Sequence, residues 1–226
     1  MKIFAIGDPH LGNLEKMIQR FNYPPNYFTQ LADNIARENP DILLIAGDLT
    51  WNKDFSDATT DLQSLQSLKA GNICFIEGNH DAWLPDYSQM YQIYNTSHFY
   101  FLSGRTFYHE KIGICGIRGT DKDAPQTTRE IKLIENALRD LSKADIDLAI
   151  CVIHHLPTSQ IFKNPEESFA EDHYFTLMEE YNINKVVYGH AHEDHNVKIN
   201  LYMKVDSIEL YCCSIDYFNW SPVRIL

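Results

Sequence analysis

Five short polar islands, each directly behind an apolar run, constrain this chain more than any other feature. They are Asp8-Pro9-His10 after KIFAIG, Gly47-Asp48 after DILLIA, Gly78-Asn79-His80-Asp81 after NICFIE, His154-His155 after LAICVI, and Gly189-His190-Ala191-His192 after NKVVY. The apolar runs read as buried strands and the islands as loops at their ends. Strand-end loops are where open α/β sheets assemble binding sites. Aspartate, histidine and asparagine are the donor set for a hard-to-borderline divalent metal.

The rest of the pattern agrees with an α/β domain spanning residues 1–226. Strands are expected at 2–7, 41–46, 73–77, 112–117, 147–153 and 185–188, with a C-terminal group near 196–203, 207–213 and 222–226. Phe28, Leu31 and Ile35 recur at helical spacing, and that helix should end before Asn39-Pro40, because proline disfavours helix in the residue ahead of it. Leu62, Leu65 and Leu68 mark a second helix ending at Gly71. A third starts with a capping box, Thr127-x-x-Glu130, and carries Ile131, Ile134, Leu138 and Leu141 on one stripe. A fourth covers 171–182. The closely spaced C-terminal strands leave no room for helices between them, so part of the sheet should be antiparallel. The aromatic-rich segment 83–110 reads as a helix followed by a hairpin, its rings serving core or lid packing.

Composition narrows the partners. With 19 Lys and Arg against 31 Asp and Glu, the formal charge is −12. The cations are scattered along the sequence, with no cluster interleaved with aromatics. A long nucleic acid is therefore disfavoured, whereas a small anion drawn to a local metal cluster is not. No apolar stretch approaches the roughly 18–20 residues that span a bilayer. The five cysteines form no C-x-x-C pair and sit in apolar runs, so they read as buried, reduced thiols and imply a cytoplasmic setting.

Taken singly, each island has an ordinary reading: Asp8 as a turn residue, Asp48 as a helix cap, Asn79-His80-Asp81 as a polar turn, and the histidines as structural or surface residues. Together they meet the needs of a two-metal hydrolase. Two cations roughly 3.5–4 Å apart need a bridging ligand, and Asp48 is the natural one. In Asp8-x-His10 and His190-x-His192, period-two alternation would project both side chains to one side of an extended segment. Gly189 would allow a tight turn behind the second pair. Asn79 and His154 add neutral donors, which keeps the cations electrophilic.

In this order, D-x-H, G-D, G-N-H-D, H and G-H-x-H resemble the calcineurin-like metallophosphoesterase superfamily, from Asp8 to His192. A narrower similarity, to small bacterial phosphohydrolases of that superfamily, is carried by Gly47-Asp48-Leu49-Thr50-Trp51, Cys115-Gly116-Ile117-Arg118-Gly119-Thr120 and Cys213-Ser214-Ile215-Asp216-Tyr217. The resemblance implies a four-layer α/β/β/α sandwich with two mixed β-sheets and a pair of divalent metals, manganese, iron or zinc. Asp8, His10, Asp48 and His192 would hold one metal, and Asp48, Asn79, His154 and His190 the other. It selects His154 over His155, with Pro157 one position later than usual. His80 corresponds to a histidine that protonates the leaving group or steadies the phosphoryl oxygens, and Asp81 would orient that ring and support its cationic form.

The implied activity is hydrolysis of a small phosphoric mono- or diester by a metal-bridging hydroxide. A non-catalytic metal-binding scaffold and a nuclease are the alternatives. Arg118 is a candidate phosphate clamp or a loop anchor, and Trp51 and Asn52 either line the pocket or pack. Specificity is expected in 51–60, 83–110 and 118–128, the least motif-like parts.

Overall fold

The computed structural model describes residues 1–84, 86–94, 98–120, 127–164, 172–192 and 198–226, without the side chains of residues 93 and 127. In the first sheet, β1 (Ile3–Ile6), β2 (Ile42–Ala46), β3 (Asn72–Ile76) and β4 (Phe99–Phe101) lie side by side and parallel. The second sheet has β5 (Thr106–His109), β6 (Ile112–Ile117), β7 (Leu148–Ile153), β8 (Lys185–Tyr188), β9 (Tyr202–Val205) and β10 (Ile208–Cys212), in the order β5-β6-β7-β8-β10-β9. Here β6, β7, β8 and β10 are parallel, and the two edge strands are antiparallel to their neighbours. The C-terminal β11 (Val223–Arg224) returns to the first sheet, antiparallel to β1. Both sheets are thus mixed: β9 and β11 supply the antiparallel pairing expected of the closely spaced C-terminal strands, and β5 adds a mid-chain antiparallel pair with β6.

The continuous apolar runs exist because both faces of each central strand are covered. Along β2, Leu43 and Ile45 face the helices, while Ile42, Leu44 and Ala46 face the other sheet. In β7, Cys151 and Ile153 face outward and Ile150 and Val152 inward. Over the first sheet lie α1 (Leu14–Phe21), α2 (Tyr27–Glu38), α3 (Phe55–Gln66) and α4 (Tyr87–Tyr94), burying Met17, Leu31, Leu62 and Met90. Over the second lie α5 (Thr127–Lys143) and α6 (His173–Glu180), burying Leu138 and Met178. The result is the expected α/β/β/α sandwich. Pairing Ile6 with Ile45, Ala46 with Ile76, and Ile117 with Ile153 and Tyr188 brings the carboxyl ends of these strands level within each sheet. A bridge from Gly7 to Ser214 joins the sheets at that end.

Several local expectations change. The helix α1 is absent from the sequence reading because its buried stripe is only Met17 and Phe21, one turn apart. The helix α3 stops at Gln66, short of Gly71. After α4, β4 joins the first sheet and β5 the second, so the chain crosses between sheets there and makes no β4–β5 hairpin. Most rings of that segment pack in or against the core, with Tyr94, Phe99 and Phe101 buried beside Phe75, whereas Tyr108 is exposed. Glu130 is buried and bonded to Arg118 and Tyr174, and the Thr127 side chain of the expected capping box lies outside the described residues. All five cysteines are buried and none forms a disulfide. Among the described residues no helix is long and apolar enough to cross a membrane.

Candidate metal centre

The five islands meet at the carboxyl ends of the strands, and their backbone is not extended. Asp8, His10, Asp48 and His190 have φ of 59°, 47°, 53° and 68°. Non-glycine residues rarely adopt this left-handed region, and strain of this kind collects at functional sites. Left-handed kinks, not period-two alternation, therefore aim the side chains of Asp8 and His10. Close approach explains the flanking glycines. A Cβ on Gly78 would sit 2.2 Å from Asp48 Oδ1. One on Gly189 would meet the Ala46 carbonyl and Asp8 Oδ2, both at 2.9 Å, so this residue is needed for space rather than for a turn.

Donor atoms converge on two foci. At the first, His10 Nε2 faces His192 Nε2 at 3.2 Å beside the Asp8 carboxylate. At the second, Asn79 Oδ1 lies 2.7 Å from His154 Nε2 and 2.9 Å from His190 Nδ1, and those nitrogens are 3.3 Å apart. Asp48 stands between, with Oδ2 3.7 Å from His10 Nε2 and Oδ1 3.5 Å from His154 Nε2. The donor atoms of Asp8, His10 and His192 all lie within 4.8 Å of one another, as do those of Asp8, Asp48 and His154.

Outer partners fix these side chains. His154 Nδ1 donates to the Ala46 carbonyl at 2.9 Å, which leaves the Nε2 lone pair turned to the second focus. The Asp8 carboxylate accepts from the Ser214 hydroxyl at 2.6 Å and from the His190 backbone N–H. His192 Nδ1 lies 3.3 Å from Asp216 Oδ2, and Phe21 stacks on the same ring at 4.4 Å. Carboxylate partners of this sort orient metal-binding histidines.

The electrostatics favour a cation. Asp8 and Asp48 are buried, and their only ion-pair neighbours among the described residues are histidines. Burial pushes Asp8 up to about 6 and Asp48 well above the usual carboxylate range. It also drives His10 and His154 well below ordinary imidazole. Buried charges are paired or coordinate metals, and an all-oxygen-and-nitrogen set of carboxylates, imidazoles and an amide fits divalent cations.

Other expected site residues take different parts. His155 stacks on His190 at 4.3 Å, outside both foci. Asp81 does not touch the His80 ring. Its carboxylate accepts from the backbone N–H groups of Leu49, Thr50 and Gly78 and from the Trp83 indole, clamping two site loops together. His80 leans on Trp51 at 3.9 Å, with Nε2 4.0 Å from Asp48 Oδ2. Burial, followed by the charges of Lys16 and Arg20, lowers its pKa to about 4. It is therefore a neutral N–H donor at neutral pH, and Asp81 does not hold it cationic. Arg118 donates to Glu130 at 2.6 Å, while its carbonyl accepts from the N–H groups of His154 and His155. That arrangement supports loop anchoring over phosphate clamping. With Glu77, Tyr87 and Arg129 it also lines a cleft of about 270 Å³.

The calcineurin-like phosphoesterase family model matches residues 1–194. The chain belongs to this family. It is a metal-dependent phosphohydrolase. A probable cyclic nucleotide phosphodiesterase of Fibrobacter succinogenes is 21% identical to it, over 99% of this chain and 89% of that protein. Among solved structures, TT1561 of Thermus thermophilus matches with a TM-score of 0.65 at 12% identity, covering 99% of this chain and 97% of that one. The phosphopantetheinyl hydrolase of Mycobacterium tuberculosis matches at 0.58 and 13%, covering 100% and 95%. At these identities the two structures share the fold. The sequence reading of this phosphoesterase missed Ser214 and Asp216 as partners of the site. Their signal is a sixth island of the same grammar, Ser214-Ile215-Asp216 behind the run Ile208–Cys213.

Proposed function

We propose that this phosphoesterase hydrolyses a small phosphoric mono- or diester using two divalent cations. Asp8, His10, Asp48 and His192 would hold one, and Asp48, Asn79, His154 and His190 the other. The observation that carries this reading is the pair of foci with one Asp48 oxygen turned to each. Manganese, iron and zinc suit a set of carboxylate, imidazole and amide donors without thiolate. Bound cations supply Lewis-acid polarisation of the phosphoryl group and activation of water at neutral pH.

The protein's own groups do the positioning. Ala46 and Asp216 hold His154 and His192 in orientation. His80 stands beside Asp48 and is 30% exposed, so its neutral N–H reaches a phosphoryl or leaving-group oxygen from the open side. The name of the Fibrobacter relative supports including small cyclic diesters among the substrates. Five buried cysteines without a disulfide support a reducing, cytoplasmic setting.

The test replaces Asn79 and His80 separately with alanine and follows metal content alongside turnover of phenyl phosphate, diphenyl phosphate and a cyclic nucleotide. Asn79→Ala should lose metal and activity together. His80→Ala should keep its metals and lose about 10²–10⁴-fold in rate, the range for a positioned proton donor. Survival of both metal content and turnover in either variant overturns the assignment.

A further inference from the structure

We propose that Lys16, Arg20 and Lys53, grouped round Trp51 at the edge of the metal centre, form a subsite for a second phosphoryl group of the substrate, beyond the one that is hydrolysed. The inference rests on the proposed hydrolysis and names the class of ester it takes. Lys16 and Arg20 are one turn apart on α1 and share a face. The Lys16 ammonium lies 3.2 Å from the Trp51 ring centre, and the Arg20 guanidinium lies 6.0 Å from it. Lys53 follows two residues after Trp51, close enough that its charge and that of Arg20, after burial, lower the Lys16 pKa. Trp51 in turn stacks on His80 at 3.9 Å and sits 5.3 Å from His10, so the cations border the reacting centre.

The grouping of these cations beside the metal centre, without a neutralising acid among the described residues, is what matters. Side-chain cations that form ion pairs with acids among the described residues are Lys111, Arg118, Arg139 and Lys185. Among the described residues Lys16, Arg20 and Lys53 have no carboxylate within 4.0 Å, in a chain with 31 acidic residues. The scattered cations of the sequence thus become a local positive patch on a protein of net charge −12. Three such cations match a dianionic phosphate, whereas one would suffice for a carboxylate. The Trp51 indole N–H has no hydrogen-bond partner among the described residues, and ring contacts with His10 and His80 hold the side chain against the metal centre.

Titration calorimetry on protein preloaded with manganese, and on metal-free protein, compares methylphosphonate with methylenebisphosphonate. Neither ligand is hydrolysed, so the readout does not depend on turnover. The metal-loaded wild type should bind the bisphosphonate at least about tenfold more tightly, as charge-assisted hydrogen bonds to phosphate allow. The Lys16→Gln/Arg20→Gln double variant should lose about that factor for the bisphosphonate while methylphosphonate changes less than about twofold. A Lys143→Ala control, which removes a charge far along α5, should leave both affinities unchanged. Equal binding of the two ligands by the wild type, or an equal loss for both in the double variant, overturns the subsite. If the double variant selectively loses the bisphosphonate preference but no ester is turned over, the hydrolytic reading fails and the subsite stands. Turnover of esters with equal binding of both ligands means the reverse: hydrolysis stands and the subsite falls.

Discussion

His192 Nδ1 lies 3.3 Å from Asp216 Oδ2, while the other nitrogen of the same ring faces His10 Nε2 at 3.2 Å. Asp216 therefore fixes which nitrogen His192 turns to the first focus, and it does so from the segment that follows the last strand of the second sheet. Replacing it with alanine should weaken metal binding about 10–100-fold, as for other outer partners of metal-binding histidines. Metal titration of Asp216→Ala against the wild type reads this directly, and unchanged affinity would show that His192 needs no such partner.

Gly78 has no room for a side chain. The added methyl of Gly78→Ala would lie 2.2 Å from Asp48 Oδ1 and 2.3 Å from the Asp48 backbone nitrogen, so the Asp48 loop must move. Metal occupancy should collapse, with a stability loss of about 1–3 kcal/mol from overpacking. Gly189→Ala, with contacts of 2.9 Å, should be the milder of the two. Denaturant midpoints and metal content for both variants test the order, and a fully loaded Gly78→Ala protein would contradict it.

The two kinds of legible feature share a cause. Strands β2 and β7 are buried on both faces, so burial writes itself into the sequence as unbroken apolar runs. The metal-type residues are legible because few other roles place aspartate and histidine directly behind such runs. What stayed hidden depends on distance in sequence. Arg118 finds Glu130 only once α5 packs on its sheet, and Ser214 reaches Asp8 across 206 positions. Helix α1 escaped notice because a two-residue buried stripe is a weak periodic signal. With it was lost the patch of Lys16, Arg20 and Lys53, which exists only when α1 lies beside Trp51.

Asp81 should behave as a structural residue whose loss disables the site indirectly. Its carboxylate serves the N–H groups of Leu49, Thr50 and Gly78 and the Trp83 indole from a buried position. Asp81→Asn turns an amide N–H₂ toward donors that need an acceptor. The expected cost is about 2–4 kcal/mol, the scale for stranding buried partners of a charged group. Urea denaturation of the metal-free protein measures it apart from catalysis. A variant with an unchanged midpoint and no turnover would return Asp81 to a role in the chemistry itself.

A pH effect should appear far from the metals, on β8 and β10. Lys185 bonds Glu209 across the two strands and reaches the Tyr211 hydroxyl at 3.0 Å. The bond from Lys185, then that from Tyr211, lowers the Glu209 pKa below its ordinary 4.5. A carboxyl with a depressed folded pKa adds stability above its unfolded value and loses it as pH falls through the folded one. Because the pair is partly exposed, its contribution should be about 0.2–1 kcal/mol. The melting-temperature gap between wild type and Glu209→Gln should therefore be full near neutral pH. It should close as the pH drops below about 4.5, where both forms carry an uncharged side chain. Melting curves of the two metal-free proteins across that range decide the matter, and a gap that persists in acid would mean that glutamine disturbs packing between β8 and β10 rather than an ion pair.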